Sequence, residues 1–194
     1  MSKVALAAIG ERRSNVLRSL DLIEEDIESS IDGKNILIKP NMVSTSVQLA
    51  STHSGHLEGI LKFLETLDVE KVTIAESSPS NTEKGFEEFG YHELKRKFPE
   101  IELRFKDLNK DSHESFWVVD REIHPVKVRV AETLLDPDNF VISAARPKTH
   151  DTVVATLSLK NVLMGGVIND SINRDKSKMH QGIKQMNYNL FYLS

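Results

Sequence analysis

Short apolar runs alternate with segments of helical periodicity along most of this chain. Residues 4–9 (Val-Ala-Leu-Ala-Ala-Ile) end at Gly10, which predicts a buried first strand. Val16, Leu20, Ile23, Ile27 and Ile31 then recur at helical spacing, and Gly33 closes that segment. Ile36, Leu37 and Ile38 stand side by side before Pro40, the pattern of a parallel strand covered on both faces. Leu57, Ile60, Leu61 and Leu64 predict an amphipathic helix, with Thr52 as its N-cap. Residues 69–75 predict another strand, with Val72 and Ile74 inward. Residues 82–97 carry Phe86, Phe89, Tyr91 and Leu94, which predicts a helix bent near Gly90.

The second half is less regular. Residues 101–105 alternate apolar and charged side chains, as a strand with one exposed face does. A polar loop over 107–115 precedes two strands, 116–119 and 126–130, expected to form a hairpin. One helical turn over 131–135 leads to a buried strand at 140–144. Thr152, Thr156 and Lys160 fit one helical face and also a period of two. A helix over 151–164 is expected, because the segment is long, Asp151 can cap it and Gly165–Gly166 can end it. The pattern predicts an α/β fold over residues 1–194: one domain, a mostly parallel sheet with helices on both faces, plus a β-hairpin excursion.

Composition narrows the function classes. The chain has 194 residues, 39% hydrophobic and 28% charged, enough for one real core. A net charge of -4 without a basic stripe argues against a nucleic-acid partner. With no cysteine, the chain has no disulfide, and it cannot hold an iron–sulfur cluster or a zinc–thiolate site through its own thiolates. No stretch is long and apolar enough for a membrane span, and the opening run lacks a signal-peptide layout. A cytoplasmic protein with no membrane partner is the expectation.

In an open α/β sheet, ligands bind outside the carboxyl ends of the strands. That rule selects Lys39-Pro40-Asn41 with Thr52, the segment from Glu76 to Thr82, and Arg146-Pro147-Lys148-Thr149-His150, with Lys160 and Asn161 following. Lysines with amides, hydroxyls and helix N-termini favour an anion such as phosphate or carboxylate. Solvated strand-end lysines are the bland alternative. Lys39, Asn41, Lys148, His150, Lys160 and Asn161 are expected to gather at one edge of the sheet, with Glu76 or an anion as counter-charge. Lys39, Lys148 and Lys160 would hold the anion and Asn41 and Asn161 orient it, with Thr52 and His180 as further ligand-binding candidates, and the fold should survive loss of Lys39 or Lys148.

The runs ILIKPNMV (36–43), TIAESSPS (73–80), ISAARPKTH (142–150) and TLSLKN (156–161) resemble the signature segments of the domain-of-unknown-function 362 family. The resemblance runs over nearly the whole chain and implies a fold and a site, but no reaction. Many relatives carry ferredoxin-like modules, which this cysteine-free chain does not share. Family members usually continue further, so the resemblance also implies a chain truncated at its C-terminus.

Glu76, His150 and His180 are the acid–base candidates, each with an equally good structural role in a turn or cap. His53 and His56 could share a metal with Glu76 or His150, but no HExxH-type pattern supports that, and no metal residues are assigned. Mg²⁺ would enter with a phosphorylated ligand. GxSxG, P-loop and GxGxxG motifs are absent. Residues 169–178 suggest a mobile lid, with Asn173, Arg174 and Lys176 closing over the ligand.

Two readings follow: an enzyme or binding domain for a small anionic molecule, or a non-catalytic accessory protein docking a partner through its apolar C-terminal segment. Phe116, Trp117, Phe191 and Tyr192 could serve such a surface, in a homo-oligomer or with another protein, although aromatics in such places are more often core. Leu190, Phe191, Tyr192 and Leu193 are all expected to pack rather than face water.

Overall fold

Ile36, Leu37 and Ile38 sit at the centre of the sheet that organises the structure, a computed structural model describing residues 3–8, 10–150 and 154–194. Strands β1 (Asn35–Pro40), β2 (Lys71–Glu76), β3 (Glu102–Asp107) and β6 (Asn139–Ala144) lie parallel in the order β3-β2-β1-β6. Ile38 stands opposite Ile74 on one side and Ile142 on the other. Alternate residues of β1 face opposite sides. Ile36 and Ile38 join α3 (Ser54–Thr66), α4 (Thr82–Glu88) and α5 (Leu94–Lys97) in the main core, with Leu61, Leu64, Phe86 and Leu94. Leu37 packs the other way, with Ala75, Leu108 and Ala131.

The chain steps outward from β1 to β2 to β3, then returns to place β6 on the far side of β1. The strand order therefore reverses between β1 and β6, the point where a crevice opens in α/β sheets. The expected hairpin is present as β4 (His113–Val119) and β5 (Pro125–Ala131). It packs through Val118 and Val128 against α6 (Ser158–Gly166), α7 (Asp175–Met179) and α8 (Ile183–Leu193), with Met164, Met179, Met186 and Leu190 between them. Gly90, at φ 69°, bends the 82–97 segment as its sequence suggests, because that conformation needs no Cβ.

Several expectations are corrected. Residues 3–8 form no strand, and Val4 and Leu6 are exposed; Ile9 lies outside the described residues. A run made largely of alanine buries little surface when it pairs, and no sheet edge receives it. The 16–31 periodicity belongs to two helices, α1 (Arg12–Asp21) and α2 (Glu24–Ile31), because Ile23 is non-helical at φ -129°, ψ 24°. α1 lies against α3 at Gly59, where a Cβ would stand 2.7 Å from that of Val16.

The expected 151–164 helix holds only in its second half, which ends at Gly165–Gly166 as expected. β7 (Lys148–His150) and β8 (Val154–Thr156) pair antiparallel, Leu157 stays extended, and α6 begins only at Ser158. The period of two was the informative one, and Asp151 as a cap lies outside the described residues. At the C-terminus, Met186, Leu190 and Leu193 pack inward at helical spacing. That leaves Phe191 81% and Tyr192 61% exposed, against the expectation that all four residues pack.

Candidate functional site

The carboxyl ends of β1 and β2 carry a buried ion pair. Lys39 is fully buried, and its Nζ donates to Glu76 Oε2 at 2.7 Å and to the Pro40 carbonyl at 2.9 Å. The backbone N–H of Ser77 donates to Glu76 Oε1 at 2.8 Å. Burial pulls the Lys39 pKa down, and the Glu76 carboxylate opposes that shift. Gly165 of α6 seals the pair: a Cβ there would stand 2.4 Å from Lys39 Nζ. Gly165→Ala is therefore expected to destabilise the protein by about 1–3 kcal/mol, the usual cost of overpacking. Urea titration checks this, and an unchanged midpoint would show that Lys39 can yield freely.

Beside the pair runs a chain of neutral polar groups. Asn161 Nδ2 donates to the Lys39 carbonyl at 3.0 Å and to Ser143 Oγ at 3.1 Å, while its Oδ1 accepts from Asn41 Nδ2 at 3.1 Å. Asn41 Oδ1 in turn accepts from Lys148 Nζ at 2.5 Å, and Lys148 also donates to the Ala50 carbonyl at 2.7 Å. Thr52 does not cap α3. His53 does, its Nδ1 accepting from Gly55 N at 3.0 Å. Thr52 Oγ1 instead accepts from Asn41 N at 2.9 Å and donates to the Ala144 carbonyl at 2.6 Å, tying β1 to β6 where the strand order reverses.

A cleft of about 610 Å³ opens above these groups, between the loops after β1 and β2 and the 156–180 segment. Asn41, Glu76, His150, Lys160, Asn161 and His180 all line it. Lys160 lies in the first turn of α6 instead of two turns along a helix. The His150 and His180 rings stack with centroids 5.5 Å apart, joining β7 to the end of α7.

The expected gathering of lysines and asparagines at one sheet edge is what the geometry gives, but not all of them reach the cleft. Lys39 and Thr52 are buried behind it, and Lys148 acts through Asn41.

Lys176 was read only as part of a lid, yet it is docked on the site. Its Nζ donates to the Ser77 carbonyl and, at 2.7 Å, to Ser77 Oγ. Burial, only partly offset by Glu76, brings Lys176 down to about 7, with Lys39 and Lys160 pushing the same way. Lys148 falls to about 8, first through burial and then through Lys160. The 169–175 loop is pinned by Arg129 of β5, which donates to Asp175 and Asp170 at 2.7 Å each and to the Asn173 carbonyl at 3.2 Å. No local pattern marks Arg129 as a site residue, because its role depends on the hairpin folding back on α7.

Among the described residues, no three His, Asp or Glu side chains converge as a metal site, and no helix is long and apolar enough to cross a membrane. Fold and site together define an α/β domain with a polar cleft, lined by Lys160 and Lys176, at the carboxyl edge of a parallel sheet. Residues 36–193 match the family described as "domain of unknown function (DUF362)", and the chain belongs to that family. No curated protein and no solved structure matches it.

Proposed function

We propose that the cleft binds a small organic molecule bearing a phosphate or carboxylate, in a cytoplasmic enzyme or binding protein. One observation carries this reading: Lys39, Lys148 and Lys176 all feel the Glu76 carboxylate, Lys160 presses on Lys148 and Lys176, and burial lowers the pKa of Lys39, Lys148 and Lys176. Like charges held together in a partly dry site favour an anion that completes their neutralisation. Lys160 and Lys176 would contact the ligand, Asn41 and Asn161 would orient it, and Lys148 would act from behind. Both oxygens of Glu76 accept hydrogen bonds, so it balances charge; His150, beside His180 on the cleft wall, is the better proton-transfer candidate. Mg²⁺ would arrive with phosphate oxygens, since the protein offers no carboxylate cage among its described residues.

The pH dependence has a definite sign. Between about 7 and the ordinary lysine value of 10.5, the unfolded chain holds protons that folded Lys148 and Lys176 have lost. These two groups therefore make the anion-free protein more stable as pH rises through that window. A bound anion favours the charged amines, so binding should take up protons. Calorimetry near pH 8 in buffers of different ionisation enthalpy would register that uptake. Binding without uptake would place the anion away from both amines.

A thermal-shift screen of phosphorylated and carboxylated metabolites against neutral analogues is the direct test. Lys176→Met should weaken the best anionic ligand by about 1.5–3 kcal/mol, the scale of a hydrogen bond to a charged group. If no anion raises the melting temperature, the reading fails. The accessory-protein reading then gains weight from α8, whose Tyr188, Phe191 and Tyr192 are exposed.

A further inference from the structure

Large apolar side chains stand in water on the segments that build the cleft, close in sequence to residues that line it. Val43, 52% exposed, lines the cleft. Val47 and Leu49 follow on the loop whose Ala50 carbonyl accepts from Lys148, and both are exposed. On a second segment, exposed Val154 is paired with the cleft-lining His150 in the β7–β8 hairpin, and exposed Leu157 immediately precedes α6, which carries Lys160 and Asn161. Ile172, 85% exposed, sits between the cleft-lining residues Ser171 and Arg174. Single exposed hydrophobic residues are ordinary on any protein. A set on three separate segments that each contribute lining residues to one charged cleft suits a ligand with an apolar part.

We infer that the cleft takes an amphiphilic anion, its phosphate or carboxylate at Lys160 and Lys176 and its apolar body across Val43, Leu157 and Ile172. This rests on the anion-binding reading and narrows it to a ligand class. A sugar phosphate or inorganic anion would leave the apolar rim hydrated. An alkyl or aryl group would remove both its own surface and that of the rim from water.

The probes are methyl phosphate and butyl phosphate, which share a charged group and differ only in apolar length. Isothermal titration of the intact chain should show butyl phosphate binding about tenfold tighter or more, as partial burial of the extra methylenes requires. The double variant Val43→Ser/Ile172→Ser should bring the two affinities together; both side chains are exposed, so the fold should tolerate the change. Equal affinities in the unsubstituted protein would overturn the amphiphile inference and leave the anion reading standing. A butyl preference that survives the double variant would also overturn it, because the chain would then be held elsewhere. Binding of neither ester, nor of acetate and valerate titrated alongside as the matching carboxylates, would remove both readings. Pelleting on phosphatidylcholine vesicles only when they contain phosphatidic acid, and only with Lys176 intact, would identify a lipid headgroup as the source of the same chemistry. Butyl phosphate binding without pelleting would identify a free ligand.

Discussion

Lys39→Met is expected to destabilise the protein by about 3–5 kcal/mol, the scale of breaking a buried ion pair from one side. Methionine fills much of the same space and is apolar, so packing alone would predict a mild effect. The loss comes from Glu76, which would remain 3% exposed with its 2.7 Å partner gone. The sequence expectation that the fold survives this change is thus replaced, because Lys39 is buried structure and not a surface ligand. Glu76→Gln on top of Lys39→Met should restore most of the stability, since an amide no longer demands a counter-charge. Urea titrations of the single and double variants check this. Equal midpoints for the native protein and Lys39→Met would show that Glu76 finds another partner, and the buried pair would lose its assigned importance.

Arg129→Met is expected to have the second largest effect, about 2–4 kcal/mol, somewhat below a fully buried pair because Arg129 keeps some solvent contact. Asp175 is 1% exposed and would keep only Lys178, at 2.6 Å, as a cationic partner. Asp170, held at about 2 chiefly by its hydrogen bond from Arg129, would return toward the ordinary carboxylate range. The same substitution should weaken anion binding roughly tenfold, because Lys176 lies on the helix that Asp175 begins. Arg129 does not line the cleft, and its side chain bonds to Asp170, Asn173 and Asp175, so this loss would report positioning through the loop. Lys at this position should recover part of the charge but not the three-point clamp. Unchanged ligand affinity in a folded Arg129→Met protein would mean that the loop holds its place without the clamp.

These two residues mark the limit of what a linear reading reaches. The strands over 36–38, 72–74 and 140–144, the hairpin and the break at Gly90 are legible because each is written in adjacent residues: apolar runs, alternation, or a glycine at a bend. The candidate site was legible for a related reason. Parallel strands all end on one side, so Asn41 and Glu76, each at or beside a strand end, had to approach one another, while His150 reaches the cleft on the β7–β8 hairpin that follows β6. Where local signals balance, as over 151–164, the sequence does not separate the two periods, and the later helix start puts Lys160 in the first turn.

What the sequence determined by itself was the sheet, the edge at which polar groups collect and the absence of thiolate chemistry. Only the tertiary structure decided which lysine faces the cleft. Lys39 is turned inward because Gly165, far along the chain, leaves room for its amine beside Glu76. Lys176 is turned to Ser77 because Arg129 fixes the loop that leads to it. A charged side chain settles where its counter-charges and hydrogen-bond acceptors converge. Those partners come from segments that only the completed fold brings together.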